Sequence, residues 1–82
     1  MVTAYLLINT KPGSETKIAE FLIKKKQVKD LNIVYGAYDI IMKLKVRDMG
    51  DLQNFILQMR KDVEVEHTTT LISTSAQWYL IY

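Results

Sequence analysis

The 82-residue chain has no cysteine and one histidine, His67. Without thiols there is neither a disulfide framework nor a thiolate zinc site, which fits a reducing cytosol. One histidine is also too few for a usual metal centre, which draws three or four protein ligands. Charge of one sign is scarce: 11 basic residues against 9 acidic ones leave a formal net charge of +2. That is too slight to imply nucleic-acid binding. No charged-then-apolar leader pattern occurs at the N-terminus, and no apolar run approaches the roughly 20 residues of a membrane span. The expected protein is cytoplasmic, without a membrane partner. No glycine-rich phosphate loop and no nucleophile–base pair is evident. A non-enzyme without a cofactor is therefore expected.

What the chain does have is apolar surface. Hydrophobic residues make up 49% of it. A single domain over residues 1–82 buries only about 60–65% of its unfolded surface. So generous an apolar share in so small a core favours an oligomer, in which subunit contacts complete the burial.

Periodicity divides the chain into six main segments. Val2–Asn9 alternates as a strand, with Val2, Ala4, Leu6 and Ile8 on one face and Thr3, Tyr5, Leu7 and Asn9 on the other. Lys-Pro-Gly at 11–13 is a turn, and Ser14 is placed to cap a helix over Glu15–Lys25, with Ile18, Phe21 and Leu22 as its apolar stripe. Lys24–Lys26 is read as a solvated helix end. Val28–Tyr35 and Tyr38–Val46 read as strands joined at Gly36-Ala37, an antiparallel hairpin. Asp48 is the expected N-cap of a second helix carrying Leu52, Phe55, Ile56 and Met59. A β-prone stretch, VEVEHTTTLIS, follows, and then a short last strand over Trp78–Tyr82.

The order is β-α-β-β-α-β plus a terminal strand, the ferredoxin-like α+β arrangement, with an antiparallel sheet and both helices on one face. The other face carries Tyr5, Leu7, Ile41 and Leu71 or Ile72. A second sheet packed against it would give a dimeric α/β sandwich. Trp78–Tyr82 has no charge and no proline, so it is expected to pair with another subunit rather than stand as a free edge.

Three pieces, in this order and spacing, resemble the effector (RAM) domain of the Lrp/AsnC transcription regulators. They are KPGSETKIAEFL, NIVYGAYDIIMKLKVRDMGDLQNFI with its Gly-x-Tyr-Asp corner, and VEVEHTTTLI with its Thr-x-Thr ending. The resemblance spans Val2 to Ser73. Full regulators of this kind carry a helix-turn-helix ahead of the domain. The present sequence starts at the first strand and so resembles the stand-alone form, for which direct DNA binding is not expected.

What the resemblance implies is a regulatory module that binds an amino acid or related small molecule between subunits. It also implies a homodimer, rings of dimers such as an octamer, and co-assembly with full-length regulators. Carried over onto this sequence, the ligand-binding positions are Gly36, Ala37, Tyr38 and Asp39 at the corner, with Thr68 and Thr70 on the last strand of the motif. Tyr35 flanks the corner and is added to them.

The chemistry of these residues suits an α-amino acid. Asp39 offers an anionic acceptor for the ammonium, and backbone N–H groups around Gly36–Tyr38 offer donors for the carboxylate. Thr68 and Thr70, two apart, share a strand face and carry hydroxyls. Each residue also has a plainer reading. Gly36 serves as a turn residue, Asp39 caps the corner by bonding a nearby N–H, the tyrosines pack on the sheet, and threonines suit any strand. His67 falls on the face of Thr69 and Leu71 and reads as a surface or packed histidine. Three rival functions share the topology: a small dimeric oxygenase or isomerase, an RNA-recognition motif, and a purely structural oligomer. The RNA reading lacks aromatic-rich central strands in a basic surround.

Overall fold

Val2–Asn9 forms strand β1, and a computed structural model, described over residues 1–73, places it between two neighbours. Helix α1 spans Glu15–Leu22, β2 Val28–Ile33, β3 Ile40–Val46, α2 Met49–Asp62 and β4 His67–Ile72. The sheet order is β2-β3-β1-β4 with every neighbouring pair antiparallel, the ferredoxin-like fold. The strand expected at Trp78–Tyr82 lies outside the described residues. Among the described residues no helix is long and apolar enough to cross a membrane.

The alternation read from the sequence becomes the core. Ala4, Leu6 and Ile8 of β1 and Ile40, Met42, Leu44 and Val46 of β3 are buried against Ile18, Ala19 and Leu22 of α1 and Leu52, Phe55 and Met59 of α2. Both helices thus cover the same face. Pairing of Leu7 with Ile41 and Thr69, and of Tyr5 with Lys43 and Leu71, sets these residues on the opposite, helix-free face. His67 pairs with Asn9, so it shares that face, as its alternation predicts.

Strand β2 shows a local adjustment. Val28 pairs with Leu44 and Asp30 with Lys43, so Lys29 is an extra residue at a bulge. The bulge brings Val28 and Leu31, three apart, onto the core side, which simple alternation would not do.

Several segment ends differ from the sequence reading. Helix α1 stops at Leu22, not Lys25: the chain passes into turns in which Lys25 N–H bonds Leu22 O at 3.0 Å and Val28 N–H bonds Lys25 O at 3.1 Å. Ile23 N–H still bonds Ala19 O, and Lys25 folds back 4.6 Å above the Phe21 ring. Phe21 itself is 38% exposed. It lies about 100° around the helix from the middle of the Ile18–Ala19–Leu22 stripe, on the flank of the packed face. Ser14 occupies the N-cap position without a side-chain cap bond. Asp48, by contrast, caps α2 as expected: its Oδ1 accepts from Asp51 N–H at 2.8 Å. Asp48→Ala should therefore destabilise the domain by about 1 kcal/mol, measurable by urea unfolding. Ser14→Ala should cost clearly less, and equal losses would contradict the difference between the two caps.

Candidate functional site

The β2–β3 connection is longer than the sequence pattern implies. β2 ends at Ile33 and β3 begins at Ile40, leaving Val34–Asp39 as a folded corner. The chain leaves the ladder because Gly36 adopts φ 130°, a conformation that L side chains rarely adopt. The corner is nevertheless pinned. Val34 N–H donates to Asp39 O, and Asp39 N–H donates to Ile8 O, both at 2.9 Å.

Side chains tie the corner to the end of β1. Asp39 Oδ2 accepts from Thr10 N–H at 2.8 Å, and Asn9 Nδ2 donates to Ala37 O at 2.9 Å. Thr10 is buried, so its N–H needs this acceptor. The capping role weighed for Asp39 is thus present, but the N–H it holds belongs to Thr10, just past the end of β1, rather than to the corner. Among the described residues nothing engages the other carboxylate oxygen.

Tyr38 reaches past the end of β1. Its hydroxyl lies 3.1 Å from Thr69 Oγ1 on β4. Thr69 pairs with Leu7, so this contact is on the helix-free face. Tyr38 therefore leaves the alternation that would have put it beside Ile40 in the core. Tyr35 stands fully exposed at the tip.

Thr68 and Thr70 are not brought to the Tyr38–Thr69 contact. They pair with Ile8 and Leu6, on the helix side of the sheet. Thr68 Oγ1 accepts from Arg60 Nη2 of α2. Thr70 lines a shallow apolar groove of about 330 Å³ with Met49, Leu52, Ile56 and Ile72. The structure thus gathers Gly36, Ala37, Tyr38 and Asp39 with Asn9, Thr10 and Thr69. Those last three were missed by sequence reasoning. Asn9 is a polar residue ending an otherwise apolar alternation, and that was the available signal. Thr69 could be found only from the β1–β4 register.

Beside Thr10, Lys11 Nζ lies 2.7 Å from Glu64. The hydrogen bond and charge of Glu64, with help from Glu66, hold the Lys11 ammonium above its ordinary pKa. This exposed pair joins the β1–α1 turn to the segment entering β4, as does the bond from Glu66 N–H to Asn9 O. Together these elements form an anionic, hydroxyl-bearing corner. It can accept from a cation with Asp39 and offer Tyr38 and Thr69 hydroxyls to an anion.

Comparison with known proteins bears on this corner. The family model described as the Lrp/AsnC ligand binding domain matches residues 3–78. A helix-turn-helix transcriptional regulator of Pyrococcus abyssi is 35% identical over 77 residues, 93% of this chain and 49% of the relative. The chain thus spans about half the length of the curated relatives it matches. Hypothetical protein PHS023 from Pyrococcus horikoshii is 38% identical with a TM-score of 0.85, covering 92% of both chains. A feast or famine regulatory protein from M. tuberculosis, solved in complex with L-methionine, shares the fold at 16% identity, with a TM-score of 0.77 over 96% of this chain and 54% of that one.

Proposed function

Because the chain belongs to the Lrp/AsnC ligand-binding-domain family, we propose that it is a cytoplasmic regulatory module that senses an amino acid at the Gly36–Asp39 corner. The observation that carries this reading is the half-used Asp39 carboxylate. One oxygen is committed to Thr10 N–H, and the other is left for the ligand's ammonium. Backbone donors around Gly36–Tyr38 and the Tyr38–Thr69 hydroxyl pair serve the ligand's carboxylate. Exposed Tyr35 covers the ligand from a neighbouring protomer's side. Thr68 and Thr70 act on the α2 side, where they set the position of β4. That the M. tuberculosis protein of this fold holds L-methionine supports a zwitterion as ligand.

Protomers pair through the helix-free sheet faces, and the dimers build a ring. The module acts on transcription or amino-acid metabolism through this assembly, alone or with full-length regulators. The Pyrococcus regulators, matched along about half of their length, support such a partner.

The test is calorimetric titration of the twenty amino acids. Asp39→Asn removes the charge but keeps an oxygen for Thr10 N–H. It should weaken binding by about 1.5–3 kcal/mol, the scale of a hydrogen bond to a charged group, with little change in melting temperature. Asp39→Ala should lose stability as well, because a buried N–H is orphaned. If no amino acid binds the parent, or Asp39→Asn binds equally well, the corner is only a structural cap and the purely structural oligomer becomes the better reading.

A further inference from the structure

Strand β4 closes one side of the sheet. Its inner edge pairs with β1, and among the described residues no strand pairs with its outer edge. Exposure along β4 is graded. Thr68 and Thr69 are half-buried, whereas Thr70, Leu71 and Ile72 are exposed. Leu71 lies on the helix-free face, and Thr70 and Ile72 lie on the helix side, so this end of the strand is uncovered on both faces. On the helix side it borders the shallow groove of about 330 Å³ between β4 and the first half of α2. The apolar lining there reaches solvent: Met49 is 51% exposed, Ile72 44%, and Ile56 is partly buried. Among the described residues no charged side chain lines the groove. The chain itself continues from this end. Ser73 N–H donates to Thr3 O at 2.9 Å, which keeps the backbone beside β1 up to the last described residue. Nine residues follow, TSAQWYLIY. The first four are small or polar, and the last five carry no charge and no proline.

From this combination we infer that the occupant of the groove is the chain's own Trp78–Tyr82, which folds back through Thr74–Gln77 and adds antiparallel to the outer edge of β4. Loops of this length are common in hairpins. The added strand pairs the outward N–H and C=O groups of β4 and removes an exposed edge. Every residue of the segment is apolar or aromatic. Either alternation therefore lays large side chains over Met49, Ile56 and Ile72 on one face and beside Leu71 on the other. The pairing expected with another subunit is thereby made within one chain. A tether this short gives the chain's own segment an effective concentration on the order of millimolar, which favours it over the same segment of a neighbouring copy. The inference does not rest on the amino-acid corner.

Disulfide trapping tests it, because the chain has no cysteine of its own. Facing residues of an antiparallel pair lie about 4.5–5.5 Å apart at Cα, within the span of a disulfide. In the full chain, Thr70→Cys is combined with Ile81→Cys, which it faces across a four-residue loop, or with Leu80→Cys, which it faces across a five-residue loop. Oxidation with copper–phenanthroline should close one of these pairs within a single chain, read by intact mass and by monomer migration in a denaturing gel. Asn32→Cys on β2, at the opposite edge of the sheet, should close with neither. Chymotrypsin supplies a readout without added cysteines. Met49→Glu puts a charge in the groove and should speed cleavage within Trp78–Tyr82 roughly fivefold or more. Leu57→Glu, at an exposed α2 position outside the groove, should change it less than about twofold. A crosslink joining two chains, no crosslink in either pair, or unchanged cleavage in Met49→Glu would each overturn the inference.

Discussion

Leu6→Ala lowers the unfolding free energy by about 2–5 kcal/mol, the range for emptying a fully enclosed leucine. Leu6 has no exposed surface and sits on the central strand, paired with Met42 on one side and Thr70 on the other, beneath both helices. Small domains hold only about 5–15 kcal/mol in total, so the loss is a large share and the urea midpoint falls sharply. The matched comparison is Phe21→Ala. Sequence periodicity counts Phe21 with the buried stripe, yet it keeps 38% of its surface exposed and stands outside the core cluster, so it has less packing to lose than Leu6. A smaller loss, about 1–2 kcal/mol, is expected there. If Phe21→Ala proved as damaging as Leu6→Ala, the helix would be rotated relative to the packing described.

Leu7→Asp is expected to dissociate the dimer proposed above into monomers. Leu7 lies between Ile41 and Thr69 on the helix-free face, with Tyr5 and Leu71 in the adjoining row and Leu71 53% exposed. If this face is buried against a second copy, an introduced carboxylate loses its water without gaining a partner. The penalty is several kcal/mol, and about 3 kcal/mol already weakens association roughly a hundredfold. Light scattering during gel filtration reads the change in mass. Leu57→Asp supplies the control, because Leu57 is exposed on α2 and needs no desolvation. Unchanged mass in Leu7→Asp, or a parent that is already monomeric at tens of micromolar, would remove the sheet-to-sheet dimer from consideration.

The core was legible because burial imposes a period on the chain. Ala4, Leu6 and Ile8, or Ile40, Met42 and Leu44, announce their side of a strand by spacing alone. So do Leu52, Phe55 and Met59 on a helix. Legibility ended where one residue alters the count. The Lys29 bulge changes which residues of β2 face the core, and Gly36 takes Tyr38 out of the alternation. Neither event has a periodic signature. The Thr68–Thr70 run illustrates the same limit at the site. Two threonines two apart share a face, as expected, but which face depends on pairing with Leu6 and Ile8, a contact made some sixty residues away along the chain.

What the sequence by itself determined was the class of fold and the identity of most of the buried residues, since both follow from local hydrophobic period and the order of elements. It also marked the Gly36–Asp39 corner, because glycine and an acidic residue at a hairpin junction are local signals. Only the tertiary structure decided what that corner touches. Asn9, Thr10 and Thr69 come to it through strand register. Register is a relation between distant segments that minimises exposed apolar area across the whole sheet, and no single stretch of chain contains that information.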